Sequence, residues 1–317
     1  DDNASYAEAV ETLNALGIMI GDDQGNFNPE KGITRAETAA IIARIRALGE
    51  AASAAGGTIF EDVPADHWAA GYVNLAQQSG IINGYGDGNF GPEDAVKYEQ
   101  VIKMIVAALG RTPEAEKKGG YPTGYMVIAA QENINKGVSV KSGSDAPRAD
   151  VARLVFNALE VDVMEQENYT TGDEEFKVIE DKTLLKDYLK VNKVEGIVEG
   201  SHLTAQNIDT EDDKIVIDVT KLNGYASGDK FDADLAADIE AGVAEGKTNA
   251  AALVGCSVAA YVVENEETNE LELLAIAKKS GRNEIVEIDA EDIEDIEKVA
   301  EDLPLMPGAC KTIECLK

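Results

Sequence analysis

Apolar positions spaced three and four apart dominate the first half of the chain. Tyr6, Ala9, Val10, Leu13 and Leu16 predict one helical face, Ala69, Tyr72, Val73 and Ala76 a second, and Ile41, Ile42 and Ile45 a third. The third run opens on Thr34-Arg35-Ala36-Glu37, and a threonine followed three residues later by a glutamate predicts a capping box at the helix start. A further face, Val151, Leu154, Val155, Ala158 and Leu159, follows Asp145, the expected cap, and Pro147, expected near the first turn where its missing N–H is not needed. Beyond Leu159 the period shortens towards two. Residues 194–198, 214–219, 257–263, 271–277 and 284–288 are rich in β-branched side chains and predict strands, with hairpin turns at 265–269 and 280–282 that make the last three a meander. Residues 183–189, 233–245 and 292–300 predict short acidic helices, giving an α+β domain on a small antiparallel sheet or barrel.

Between the helices of the first half lies a repeated loop. Gly17, Ile18, Gly21, Gly25, Asn26, Phe27, Pro29 and Glu30 recur 63 residues later as Gly80, Ile81, Gly84, Gly88, Asn89, Phe90, Pro92 and Glu93. Such a fixed period marks one supersecondary unit used again: helix, glycine-rich turn, helix. In the turn Phe90 can fold back as an apolar plug, and Pro92 prevents a strand from continuing. A degraded third copy matches at an offset of 53, through Gly124, Tyr125, Ala129, Ile134 and Gly137, and Pro147-Arg148-Ala149-Asp150 then stands for Thr34-Arg35-Ala36-Glu37. Its turn is shorter and has lost the aromatic plug. One such hairpin is too small to bury its own apolar face, so three copies are expected to pack around a common axis and leave grooves between neighbours.

These residues also carry a resemblance. Phe60-Glu61-Asp62-Val63, His67-Trp68-Ala69, Gly80-Ile81-Ile82-Asn83-Gly84-Tyr85, Asp87-Gly88-Asn89-Phe90-Gly91-Pro92 and Ile33-Thr34-Arg35-Ala36-Glu37 closely resemble the surface-layer homology module, over roughly the first half of the chain. The resemblance implies an all-α pseudo-threefold helical bundle that anchors exported proteins to the bacterial cell wall through an anionic, often pyruvylated, secondary wall polysaccharide. It implies an extracellular, wall or surface-layer location, with the arginine of the Thr-Arg-Ala-Glu motif against a ligand carboxylate. The expected carbohydrate-binding residues are Arg35, Arg148, Trp68, Lys97, Thr34 and Gly84, with no cofactor and no metal. The sequence departs from the pattern in three places. The first copy begins at Asp1 without the Phe-Asp-Val and His-Trp segments. The second has Lys97-Tyr98-Glu99-Gln100 at the motif, and a lysine cannot copy the bidentate arginine fork. The third replaces the capping threonine with Pro147.

Length suggests about two domains, and charge divides them. Of the 60 acids and 28 bases, residues 1–160 hold 22 and 13, and residues 161–317 hold 38 and 15. The expected organisation is a three-repeat domain over 1–165 (1–50, 58–111 and 119–160), a polar connector over 166–176, an acidic α+β domain over 177–302 and a weakly specified tail over 303–317. A chain with a net charge of −32 avoids nucleic acid and bare anionic membranes, so an anionic polymer is expected to meet a few local cations and not a basic patch. No run of 18 apolar residues predicts a bilayer span. No leader segment is present, and export implies its removal. Cys310 and Cys315 stand equally as a short-range pair or as two free thiols, while Cys256 reads as a small core residue.

Each candidate has a plainer alternative. Arg35 and Arg148 sit at helix starts where an anion would also meet free backbone donors, or they pair with Glu37 and Asp150. Trp68 is a sugar platform at a groove rim or a ring buried between helices. Asp22-Asp23-Gln24-Gly25-Asn26 lacks the alternating carboxylates of a calcium loop and reads as turn chemistry. Glu291, Asp292, Glu294 and Asp295 read as a solvated helix face, and His67 and His202 suggest no catalytic base. With no nucleophile elbow, phosphate loop or zinc spacing, the leading reading is a non-enzymatic wall anchor. The alternatives are a wall hydrolase whose catalytic part lies in or beyond the second half, and a self-associating lattice module.

Overall fold

In the first unit, Asp1–Lys190, helices pair across glycine-rich turns. α1 (Asp2–Ala15) and α2 (Arg35–Ile45) flank the first turn; after the short α3 (Gly49–Ala54), α4 (Ala70–Gln78) and α5 (Tyr98–Ala108) flank the second; after α6 (Thr112–Lys117), α7 (Thr123–Gln131) and α8 (Arg148–Ala158) flank the third. The computed structural model describes residues 2–22, 24–139, 141–168, 175–201, 214–279, 281–289 and 310–316. The capping box forms as expected: Thr34 Oγ1 accepts the Glu37 N–H at 3.2 Å, and Glu37 Oε2 accepts the Thr34 N–H at 3.0 Å. At α8 the expectation is corrected. Pro147 is itself the N-cap, without a side-chain bond, and the Asp145 carboxylate lies 2.6 Å from Lys97 Nζ instead.

The three segments that lead into α2, α5 and α8 meet in a closed ring. Ile33 N–H donates to the Ala146 carbonyl (3.1 Å), Ala146 N–H to Val96 (2.9 Å) and Val96 N–H back to Ile33 (3.0 Å), and all three residues are wholly buried. Next to it, Arg35 N–H donates to Asp94 O, Tyr98 N–H to Ser144 O and Arg148 N–H to Lys31 O. This overturns the all-α expectation for the repeat domain. Extended segments that converge in a core have no water for their amides, so they pair with each other as β-bridges, at Gly32 with Pro147, Thr34 with Ala95 and Lys97 with Asp145.

Two antiparallel strands complete the mixed first unit. β1 (Asp162–Asn168) and β2 (Glu175–Thr183) pair where the sequence reads as a polar connector. Their anchor is Arg111, 3% exposed, whose Nε and Nη2 both donate to the Asp162 carbonyl at 3.0 and 2.8 Å while Nη1 meets Glu114 and Glu132. Met164 N–H adds a bond to Leu109 O. Polar strands thus gain order from a buried cation, a signal that hydrophobic periodicity does not carry.

The second unit, Val191–Lys317, holds a closed barrel in the order β3-β4-β5-β7-β6, formed by β3 (Val191–Ser201), β4 (Lys214–Leu222), β5 (Val243–Ala244), β6 (Ser257–Glu264) and β7 (Leu271–Lys278). Its core joins Val194, Val198, Ile215, Ile217, Val258, Val262 and Cys256 with Ile239 of α9 (Ala233–Ala241). The expected three-stranded meander stops at two. β8 (Asn283–Asp289) pairs in parallel with β9 (Cys310–Leu316), and not with β7. The helix expected over 292–300, its acidic face and His202 lie outside the described residues. Among the described residues no helix is long and apolar enough to cross a membrane.

Candidate functional site

Among the described residues of the first unit, two grooves lie between copies. The first, about 450 Å³, is lined by Ile20, Gly21, Asp22, Asn26 and Asn28 of the first turn, by Lys31, Glu37, Ile41 and Arg44, by Arg148 and by Trp68. The second, about 190 Å³, is lined by Ile82, Asn83, Gly84 and Tyr85 of the second turn, by Gln100, Lys103 and Met104 of α5, by Arg35 and by Tyr121. The two are built alike. An arginine comes from the preceding copy, taken cyclically, the glycine turn and second helix from the copy itself, and an aromatic ring from the start of the next copy.

The arginines form the groove floors, and most of their bonding is internal. Arg35, 5% exposed, donates from Nε to Phe90 O at 2.7 Å and from Nη2 to Asn83 O at 2.9 Å, with its guanidinium 4.7 Å from the Tyr85 centroid and 4.5 Å from that of Phe90. Arg148, 7% exposed, repeats the arrangement one copy round: Nε to Phe27 O at 2.9 Å, Nη2 to Ile20 O at 3.0 Å, the Phe27 ring at 5.1 Å and Glu37 Oε1 at 3.5 Å from Nη1. Burial lowers the Arg35 pKa, opposed by Tyr85, Asp94 and Asp62. Each guanidinium therefore fixes the turn of a neighbouring copy. Phe90, wholly buried, is the plug that the sequence predicts, tilted against Phe60 at 5.4 Å.

The remaining expected site residues divide. Trp68 is 55% exposed on the rim of the first groove and stacks on His67 at 5.9 Å. Gly84 lines the second groove, where a Cβ would come within 2.5 Å of the Asn89 carbonyl, so close packing inside the turn requires the glycine. Thr34 and Lys97 line neither groove; the first caps α2 and the second is paired with Asp145. Tyr98 occupies the helix-start position that Arg35 and Arg148 hold in their copies. It is 3% exposed, and burial raises its pKa, opposed by Asn135 of the shortened third turn. Sequence reasoning missed Tyr121, 47% exposed on the second groove, although at the offset of 53 it stands where Trp68 does.

Carboxylates hold the turns from the other side. Asp22 accepts the Gln24 and Asn26 N–H groups at 2.9 Å each and the Asn28 amide at 2.8 Å, and these bonds lower its pKa. Asp62 accepts the Phe90 and Gly91 N–H groups at 2.8 and 2.7 Å. Burial works against the Asp62 charge, but those two donors and Arg35 outweigh it, and the carboxyl is held below its ordinary value. A depressed folded pKa gives stability that is present above the unfolded carboxylate pKa and is lost as pH falls through the folded value. Asp62→Asn is therefore expected to melt lower than the wild type at neutral pH, with the gap narrowing on acidification below the ordinary aspartate range. Melting curves over a pH series check it, and a gap independent of pH would contradict it. Asp150 shows the opposite case: burial and Glu30 raise its pKa, and the Pro147 at its cap position has no N–H to offer.

The fold and grooves now define a class: a repeat module with recurrent inter-repeat grooves, joined to a separate barrel. The family model of the S-layer homology domain matches residues 1–39 and 59–102, so the first unit carries S-layer homology modules. The chain is similar to the middle cell wall protein of Brevibacillus brevis, 36% identical over 190 residues, and to the surface layer protein of Brevibacillus choshinensis, 34% identical over 271 residues. These alignments take in 60% and 84% of this chain but only 18% and 24% of the relatives, so the chain spans less than a quarter of their length. It is also 36% identical over 158 residues to the cellulosome-anchoring protein of Acetivibrio thermocellus, covering 45% of this chain and 35% of that protein. The matched modules and these relatives place the chain at the cell surface, at the wall or surface layer.

Proposed function

We propose that the first unit anchors the protein to the cell wall by non-covalent binding of an anionic secondary wall polysaccharide in the two grooves. The observation that carries this reading is the repeated construction itself. Each groove sets an exposed aromatic ring, Trp68 or Tyr121, against an asparagine-bearing glycine turn with a buried arginine at its floor. A flat ring beside polar side chains suits a pyranose, which presents an apolar face and a rim of hydroxyls. The repeat family and its anchoring relatives support the same reading. Of the residues expected from sequence, Trp68 serves as a platform, Arg35 and Arg148 as groove floor, Gly84 as turn packing, and Thr34 as a helix cap.

The anchor works without chemistry on its ligand. Incubated with purified cell walls of its own host, the full chain is expected to co-sediment without releasing sugar or peptide; release of either would favour a hydrolase. Trp68→Ala is expected to weaken sedimentation by about 1–2 kcal/mol, roughly tenfold, because one stacking face is lost. Its melting temperature should stay unchanged, since more than half of the ring is exposed. Undiminished binding would assign Trp68 to packing against His67.

A further inference from the structure

Among the described residues the charged side chains that line the two grooves are hydrogen-bonded or ion-paired within the protein, with one lysine in each as the exception. In the first groove both Asp22 oxygens are taken up by the turn, Glu37 bridges the Thr34 N–H and Arg148, and Arg44 donates to Ile18 O at 3.1 Å while lying 5.1 Å from the Tyr72 centroid. Lys31 is exposed, its carbonyl accepts the Arg148 N–H, and among the described residues its ammonium has no hydrogen-bond or ion-pair partner. In the second groove Arg35 is covered by two carbonyls and two rings. Lys103 is half-buried, with its ammonium 5.4 Å from the Tyr121 centroid and, among the described residues, no carboxylate in ion-pair range.

We propose that Lys31 and Lys103 read a carboxylate on the groove-bound glycan, and that Arg35 and Arg148 are positioning residues which hold the turns. The proposal rests on the glycan reading above and departs from the expectation that the arginine fork meets the ligand acid. A buried guanidinium whose Nε and Nη2 already donate to the turn has little left to rearrange, whereas a compact ammonium on a flexible stem can follow a substituent that projects from a sugar ring. Lys103 stands over the Tyr121 ring, 5.4 Å from its centroid, so a sugar that enters this groove meets the ammonium and the ring together. In a chain of net charge −32, two unpaired cations at the groove mouths also supply the local attraction that the mean field denies to an anionic polymer.

The test compares the full chain on purified host walls, native and amidated with carbodiimide and methylamine to remove their carboxylates. The wild type is expected to bind native walls at least about tenfold more tightly than amidated ones, the equivalent of one charge-assisted hydrogen bond. Lys31→Gln with Lys103→Gln is expected to keep the wild-type melting temperature and to bind both wall preparations equally, at the level of the wild type on amidated walls. Lys31→Arg with Lys103→Arg is expected to restore the preference for native walls, which a purely structural role would not predict. A glutamine double variant that still prefers native walls overturns the proposal. A wild type indifferent to amidation also overturns it while leaving the glycan reading in place, and a wild type that sediments with neither preparation overturns both.

Discussion

Arg35→Ala is expected to destabilise the first unit by about 2–5 kcal/mol, far more than an exposed binding residue would. The mutation leaves the Phe90 and Asn83 carbonyls without their donor, and a buried polar group left unsatisfied costs about 1–3 kcal/mol each. It also removes a cation from between the Tyr85 and Phe90 rings. Arg35→Lys should recover only part of the loss, because one ammonium cannot reproduce two divergent N–H directions. Urea unfolding of the full chain, followed by a probe in the first unit such as Trp68 fluorescence, measures the change. A loss of wall binding at unchanged stability would instead assign Arg35 directly to the ligand.

Gly71→Ala is expected to cost about 3 kcal/mol or more. A Cβ at this position would stand 1.8 Å from the Ala52 carbonyl oxygen and 2.7 Å from its carbon, so α3 and α4 can be this close only where no side chain intervenes. Both obstructing atoms are backbone, and relief requires a helix to shift, at the upper end of the usual overpacking cost. Gly124 stands in the same relation to Ala115, 1.9 Å from its carbonyl oxygen. The pair of substitutions should therefore behave alike in thermal unfolding. Wild-type melting in either would show that the connecting helices α3 and α6 yield more readily than their close approach implies.

The parts legible in the sequence were those decided within a few residues. The Thr34–Glu37 capping box, the Phe90 plug, the start of α9 and strands such as β4, β6 and β7 each follow from short spacings and side-chain shape. The candidate site was legible only as an inventory. Arg35, Arg148, Trp68 and Gly84 do line grooves, but they divide between two, and Lys97 lies elsewhere because Tyr98 and not Lys97 occupies the helix-start position. Lys31 and Lys103 could not be singled out, since nothing local distinguishes an unpaired lysine from a paired one. Tyr121 was within reach, because the repeat offset already set it in register with Trp68.

By itself the sequence determined that a helix–turn–helix unit is repeated, where its helices are capped, and that a β-rich acidic region follows, because periodicity and capping act over a turn or two of chain. Tertiary structure alone decided that Ile33, Val96 and Ala146 close a buried hydrogen-bond ring, which breaks the all-α expectation, and that Arg111 orders a polar hairpin. It also decided that Arg35 and Arg148 are committed to turn carbonyls while, among the described residues, the groove-lining Lys31 and Lys103 have no ion pair. Each of these depends on partners about 50 to 120 residues away. Where a buried donor finds its acceptor is settled by how the copies pack, and local pattern carries no record of that choice.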